Sequence, residues 1–272
     1  MEGKVQKATN TKWEGLHLST TQIAATLYTV RQFTQTPQDL ARTLQRIKEI
    51  GYDAVQLSAL GPMEPQQVRD LADEAGLLVA ATHTDYYRLA NEPERVIKEH
   101  QIYGCKYVAI GSIPQEYRHE AGYHQFAKEA SKVAATLKEG GLIFGYHNHS
   151  FELEKFQGKT ALEILYSESD PLLFTSEIDT YWIQHGGGDP ALWIRNLKDR
   201  APLVHLKDMM VKDGEPTYAE VGEGNLNWPA ILDACREAGV IWYIVEQDIC
   251  PGDPFESLAI SLNNLESMGL SK

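Results

Sequence analysis

Cysteine is scarce in this chain. Only Cys105, Cys235 and Cys250 occur in 272 residues, and no two stand in a CxxC spacing. An odd, sparse set of thiols argues against a disulfide framework and for the reduced thiols of a cytoplasmic protein. Positive charge is also short: 25 Lys and Arg face 38 Asp and Glu, a formal net charge of -13. That balance disfavours a nucleic-acid partner, because phosphate-backbone affinity rests on Lys and Arg. No apolar run approaches the roughly 18 residues of a membrane span, so no membrane partner is expected. The polar stretch Met1 to Trp13 lacks the apolar core of a signal peptide. No glycine-rich dinucleotide fingerprint follows the first apolar run, and no Pro/Ser-rich linker divides the chain. Residues 1–12 are expected to be a flexible tail ahead of a single domain, 13–272.

What is there is an alternation of short apolar runs and longer amphipathic ones. Strands are expected at Gln22–Leu27, Asp53–Leu60, Leu77–His83, Lys106–Ile113, Leu142–His149, Leu172–Asp179, Pro202–Met209 and Ile241–Asp248. Helices follow at about Pro37–Ile50, Glu64–Ala75, Pro93–Tyr103, Tyr123–Lys138, Thr160–Ser167, Pro190–Asp199, Pro229–Ala238 and Pro254–Met268, many closed by glycine. Strands alternating with helices predict a parallel sheet. Eight such units in roughly 250 residues fit an α/β fold of the (β/α)8 TIM barrel type. A doubly wound open sheet is the alternative.

In such a barrel the chemistry sits where strands end. The strand starts here are plain, whereas the ends carry Gln56, His83, His147, His149, Asp179, His205, Lys207 and Glu246. Strand side chains alternate faces, so His147 and His149 point the same way. Asp179, His205 and Glu246, with His147 or His149, come from four consecutive units and offer a mixed nitrogen and oxygen shell. Such a shell suits Mn, Co, Zn or Fe better than Ca or Mg. The bland alternative is a row of unrelated polar residues at solvated strand ends. Two βα loops stand out: Gly186-Gly187-Gly188, and the long segment Val211 to Asn227.

These residues carry a resemblance that spans nearly the whole chain. Leu27-Tyr28-Thr29-Val30-Arg31, Ile50-Gly51-Tyr52-Asp53, Tyr146-His147-Asn148-His149-Ser150-Phe151-Glu152 and Ile178-Asp179-Thr180-Tyr181-Trp182 appear in order. Val204-His205-Leu206-Lys207-Asp208, Val221-Gly222-Glu223-Gly224 and Val245-Glu246 follow. The chain resembles the xylose-isomerase-like sugar phosphate isomerase/epimerase family, which includes inosose dehydratase and tagatose 3-epimerase. The resemblance implies one divalent metal, Mn first and Co, Zn, Fe or Mg as alternatives, held by His147, Asp179, His205 and Glu246. The family's strand-five glutamate is absent. His147 stands at the matching place and His149 beside the substrate, with the reverse order open.

The expected function is a divalent-metal-dependent isomerase or epimerase acting on a sugar, sugar phosphate, keto-sugar or cyclitol through an enediolate. Glu246 is the candidate base. Glu152 could supply a second acid or base, or bind a hydroxyl. His149 could protonate a leaving hydroxyl, which would make the enzyme an inosose-type dehydratase. His83, Trp182 and Lys207 are candidate substrate contacts, Glu177 a supporting partner, and Arg31 and Arg88 candidate contacts to an anion. Gln56 occupies a position where many relatives carry glutamate. An endonuclease IV-like DNA repair enzyme and a noncatalytic sugar-binding barrel rank behind. Family analogy suggests a homo-oligomer.

Overall fold

The computed structural model describes residues 22–270, so the expected tail, residues 1–12, lies outside the described residues. Eight parallel strands close into a barrel. They are β1 (Gln22–Thr26), β2 (Ala54–Leu57), β3 (Leu78–His83), β4 (Tyr107–Ile110), β5 (Ile143–His147), β6 (Phe174–Asp179), β7 (Leu203–Leu206) and β8 (Trp242–Val245). Each strand pairs with its neighbours in sequence, and β1 pairs with β8. The helices are α1 (Pro37–Ile50), α2 (Pro65–Ala75), α3 (Tyr86–Asn91), α4 (Pro93–Tyr103), α5 (Glu120–Glu139) and α6 (Ala161–Glu168). They continue with α7 (Thr180–His185), α8 (Pro190–Asn196), α9 (Trp228–Ala238) and α10 (Pro254–Ser267). No helix among the described residues is long and apolar enough to cross a membrane.

Local chemistry explains the boundaries. Thr36 caps α1 by accepting from the Asp39 backbone N–H, and Pro37 occupies the first turn, where a missing N–H costs nothing. Thr160 and Glu163 form a reciprocal capping box on α6. Gly76 and Gly104 end α2 and α4 in the left-handed conformation, at φ 69° and 67°. The outward faces of the strands meet the helices through Val55, Val108, Phe144, Ile178, Val204 and Val245, all buried. At roughly 1.5–3 kcal/mol for each large apolar side chain, this shell dominates the favourable side of folding.

Register places the site. His147 pairs with Glu177, and Asp179 pairs with His205. Period-two alternation then puts Glu177 and Asp179 on one face of β6, and His205 and Lys207 on one face of β7.

Several boundaries differ from expectation. Leu172 does not begin β6. It sits in a turn, 80% exposed, because the Asp170 carboxylate accepts from the Leu172 N–H and the Asp170 carbonyl from Phe174. Tyr181 and Trp182 lie on α7, a short helix that starts directly from β6. The strand expected to reach Met209 stops at Leu206, because the Lys207 N–H turns to the Thr180 hydroxyl (3.0 Å). The chain then forms an antiparallel hairpin, Asp208–Lys212 with Glu215–Ala219, which begins in the expected strand end and runs into the long segment Val211 to Asn227.

That hairpin is anchored at its base. The buried Asp208 carboxylate accepts from the N–H groups of Met209, Gly222, Gly224 and Leu226, and from the Trp228 indole at 2.5 Å. A Cβ on Gly224 would stand 2.3 Å from Asp208 Oδ1, so only glycine permits this approach.

Candidate metal centre

His147, Asp179, His205 and Glu246 converge at the C-terminal end of the barrel, each with a donor atom within 4.8 Å of the others, and all are buried. His147 Nε2 lies 3.3 Å from Asp179 Oδ2 and 3.8 Å from Glu246 Oε2. His205 Nδ1 lies 2.9 Å from Glu246 Oε2. Of the two strand-five histidines, the structure brings His147 into this group. The His149 ring packs beside it, 5.1 Å away between centroids.

The surrounding contacts aim these donors. His147 Nδ1 donates to the Gly111 carbonyl (3.2 Å), which fixes its proton there and leaves the Nε2 lone pair facing Asp179 and Glu246. Asp179 divides its oxygens: Oδ1 caps α7 at the Trp182 N–H (2.8 Å), and Oδ2 faces the cluster. Its own backbone N–H is held by Asn148 Oδ1 (3.0 Å). Glu177 can only accept, so Gln56 turns its amide NH2 to Glu177 (2.6 Å) and its carbonyl oxygen to His205 Nε2 (2.8 Å). His205 Nε2 thereby carries a proton, and Nδ1 is the nitrogen left for the cluster. Such outer partners are what a metal-binding histidine requires.

Burial holds His147 neutral, its pKa lowered to about 3, with the positive charge on His205 adding to the effect. Burial also acts to lower His205, but Glu177 and Glu246 outweigh it and hold this imidazole charged. Burial acts to raise Glu177 and Glu246. The charge on His205, joined at Glu246 by that of Lys207, holds both carboxylates low. A metal-binding histidine must be neutral, so loading this cluster displaces the His205 proton.

The donor set of two imidazole nitrogens and two carboxylate oxygens fits a divalent transition ion. A second grouping, His83, Glu177 and His205, shares His205 with the first. Hydrogen bonds already saturate it: His83 Nε2 meets Glu177 Oε2 at 2.6 Å, and His83 Nδ1 meets the Ser58 hydroxyl at 3.1 Å.

The remaining sequence candidates divide. His83 lines a cavity of about 420 Å3 together with Thr84, Tyr87, Gly111 and Ser112. His149 lies between Phe151 and Trp182, with ring centroids at 5.5 and 5.2 Å. Burial keeps it neutral, at a pKa of about 3, and its Nδ1 has no hydrogen-bond partner. Glu152 stands apart from the cluster: its buried carboxylate accepts from the Tyr146 hydroxyl (2.8 Å) and from the His149 backbone N–H (2.9 Å). Lys207 Nζ reaches Asp248, Glu246 and Asp179. Arg31 is spent on the Asp248 and Tyr28 carbonyls, and Arg88 on Glu99.

Sequence reasoning missed the bridging role of Gln56, the Asn148 bond to Asp179 and the Asp208 anchor. No residue-type signal marks the first. The other two sit inside quoted motifs, next to charged residues that drew the attention.

The xylose isomerase-like TIM barrel family model matches residues 44–262. Among solved structures, a sugar phosphate isomerase/epimerase from Parabacteroides distasonis ATCC 8503 superposes with TM-score 0.78 at 21% identity, covering 94% of this chain and 98% of that one. An L-ribulose 3-epimerase gives TM-score 0.68 at 17% identity, covering 92% and 94%. The probable 3-DHS dehydratase AsbF from Bacillus anthracis gives 0.67 at 11% identity, covering 90% and 98%. At these identities the likeness is one of fold. No curated protein matches the sequence significantly.

Proposed function

The chain belongs to the xylose isomerase-like TIM barrel family, and from that premise we propose that it is a divalent-metal-dependent isomerase or epimerase of a keto-sugar or cyclitol. The observation that carries this reading is the buried His147, Asp179, His205 and Glu246 cluster at the ends of consecutive strands. These four residues would hold the ion, with Mn the first candidate. When bound, it would supply Lewis-acid polarisation of a substrate carbonyl.

The protein's own groups do the rest. Glu246 stays ionised and can take the proton from the carbon beside the carbonyl, whose electrons pass to the carbonyl oxygen to give an enediolate. Its depressed pKa makes it a weak base, so it depends on an acidified C–H. Returning the proton to the former carbonyl carbon, while the neighbouring hydroxyl passes its proton to the former carbonyl oxygen, gives an isomer. Returning a proton to the same carbon from the opposite face gives an epimer and needs a second group that carries a proton, which His149 would supply only once protonated. His83 lines the 420 Å3 cavity, and Trp182, packed against His149, offers an aromatic face suited to the C–H side of a ring. Glu152 acts indirectly, by holding the His149 backbone.

A dehydratase on the same scaffold is the second reading, favoured by His149 beside the cluster and by the dehydratase among the structural neighbours. A neutral imidazole is a poor proton source for a leaving hydroxyl, which ranks this reading lower.

The test is a panel of free keto-sugars and inososes, incubated in D2O with Mn-loaded protein and followed by NMR. Deuterium entering at the carbon beside the carbonyl supports the proposal. A new unsaturated ketone with loss of water moves the assignment to the dehydratase. Neither change across the panel contradicts both.

A further inference from the structure

Lys207 is 1% exposed and faces into the barrel mouth two residues beyond His205. Its Nζ lies 2.6 Å from Asp248 Oδ1, 3.2 Å from Glu246 Oε2 and 3.4 Å from Asp179 Oδ2. The rings of Trp182, Tyr218 and Tyr181 stand 5.0, 5.4 and 5.7 Å from it, Tyr218 being supplied by the hairpin. An ammonium group has three N–H bonds. Glu246 and Asp248 accept hydrogen bonds from it, Asp179 Oδ2 is an ion-pair partner, and aromatic rings stand around the group.

Two of those three partners matter for another reason. Asp179 Oδ2 and Glu246 Oε2 are the oxygens that also approach His147 Nε2, at 3.3 and 3.8 Å. The ammonium therefore draws on the same two atoms that a divalent ion at the cluster would use. Asp248 differs. It lies outside the four-residue group, makes the shortest contact to Lys207, and has its carbonyl pinned by the Arg31 guanidinium at 3.1 and 3.2 Å.

We propose that Lys207 and Asp248 form a paired charge control on the cluster's affinity for a divalent cation. Lys207 lowers that affinity by competing for Asp179 Oδ2 and Glu246 Oε2 and by repelling the incoming charge. Asp248 limits the competition by holding the ammonium to one side. This rests on the metal reading of the cluster. Like charges this close interact appreciably even at the dielectric of water, and more strongly in a buried site, so the effect is about tenfold or larger.

The test is the dissociation constant for Mn2+ or Co2+, measured by chelator competition without any turnover. Wild type is compared with Lys207→Met, Lys207→Gln, Lys207→Arg and Asp248→Asn, and thermal melts in EDTA confirm that each variant folds. Lys207→Met and Lys207→Gln should bind about tenfold tighter or more. Lys207→Arg should stay near wild type, and Asp248→Asn should bind severalfold weaker. Unchanged or weaker binding in the neutral Lys207 variants overturns the proposal, as does unchanged or tighter binding in Asp248→Asn. Should the Lys207 variants not fold, the partly exposed Asp248→Asn decides alone. Wild type that binds neither ion removes the metal reading itself, whereas normal wild-type binding with indifferent variants removes only the charge control.

Discussion

The two halves of the barrel mouth are built to different ends. Strands β5 to β8 supply every member of the four-residue cluster, together with Lys207, Asp248 and the aromatic wall of Tyr181 and Trp182. Strands β1 to β4 supply no carboxylate to it. They contribute the Gln56 amide, the Ser58 hydroxyl, the His83 ring and the Gly111 carbonyl, and they leave open cavities of about 420 and 240 Å3. One half concentrates charge. The other orients it and leaves room for a ligand. A charge-dense site needs groups such as the Gln56 amide and the Gly111 carbonyl, which fix tautomers without adding charge, since each unpaired buried charge is costly.

The sharpest way to break this division is on the charged side. Asp179→Asn keeps an oxygen to cap α7 while removing the ligand charge, and asparagine caps as well as aspartate. It should abolish turnover with little change in melting in EDTA; retained activity would mean that the charged half is not the reaction centre. Next in size, Glu246→Gln should cut kcat by about 10²–10⁴ with KM nearly unchanged, the signature of a lost proton acceptor. Steady-state kinetics on the substrate found in the NMR panel would show it.

On the neutral side the effect should be smaller. Gln56→Leu removes the acceptor of the His205 Nε2 proton and should weaken metal binding by about 10–100-fold, read by isothermal titration. Affinity equal to wild type would leave the first four strands as a wall and nothing more.

The smallest effect lies behind the site. Burial raises the Glu152 pKa from 4.5 to about 7. A raised carboxyl adds stability in full below about 4.5, where both states are protonated, and that contribution is lost as pH rises through about 7. Glu152→Gln should therefore gain on wild type as pH rises from 4.5 to 7, by about 3 kcal/mol at most. Melting curves at pH 5 and 8 test this, and a difference that does not change with pH would contradict it.

The same asymmetry governs how much could be read from the sequence. The barrel was legible because β7 and β8 are short apolar runs and α1 and α9 end in Gly51 and Gly239, signals that local propensity alone produces. The charged half of the mouth was legible because His205, Asp179 and Glu246 are rare types for strand ends. Gln56 was not, because an amide at a strand end has too many ordinary uses. Its role appears only when β2 is brought across the barrel to β7, a separation of 149 residues. The choice between His147 and His149 also needed coordinates, since both share a face and only the end of β5 at His147 separates them. The hairpin after β7 was hidden because Thr180, on another element, takes the Lys207 N–H and ends the strand early.

The most direct test of the metal centre is anomalous diffraction from crystals of protein reconstituted with Mn2+, recorded on both sides of the manganese edge. The predicted result is one peak per chain, bounded by His147 Nε2, Asp179 Oδ2, His205 Nδ1 and Glu246 Oε2. No peak there after reconstitution, or a peak only at another place, would contradict the account.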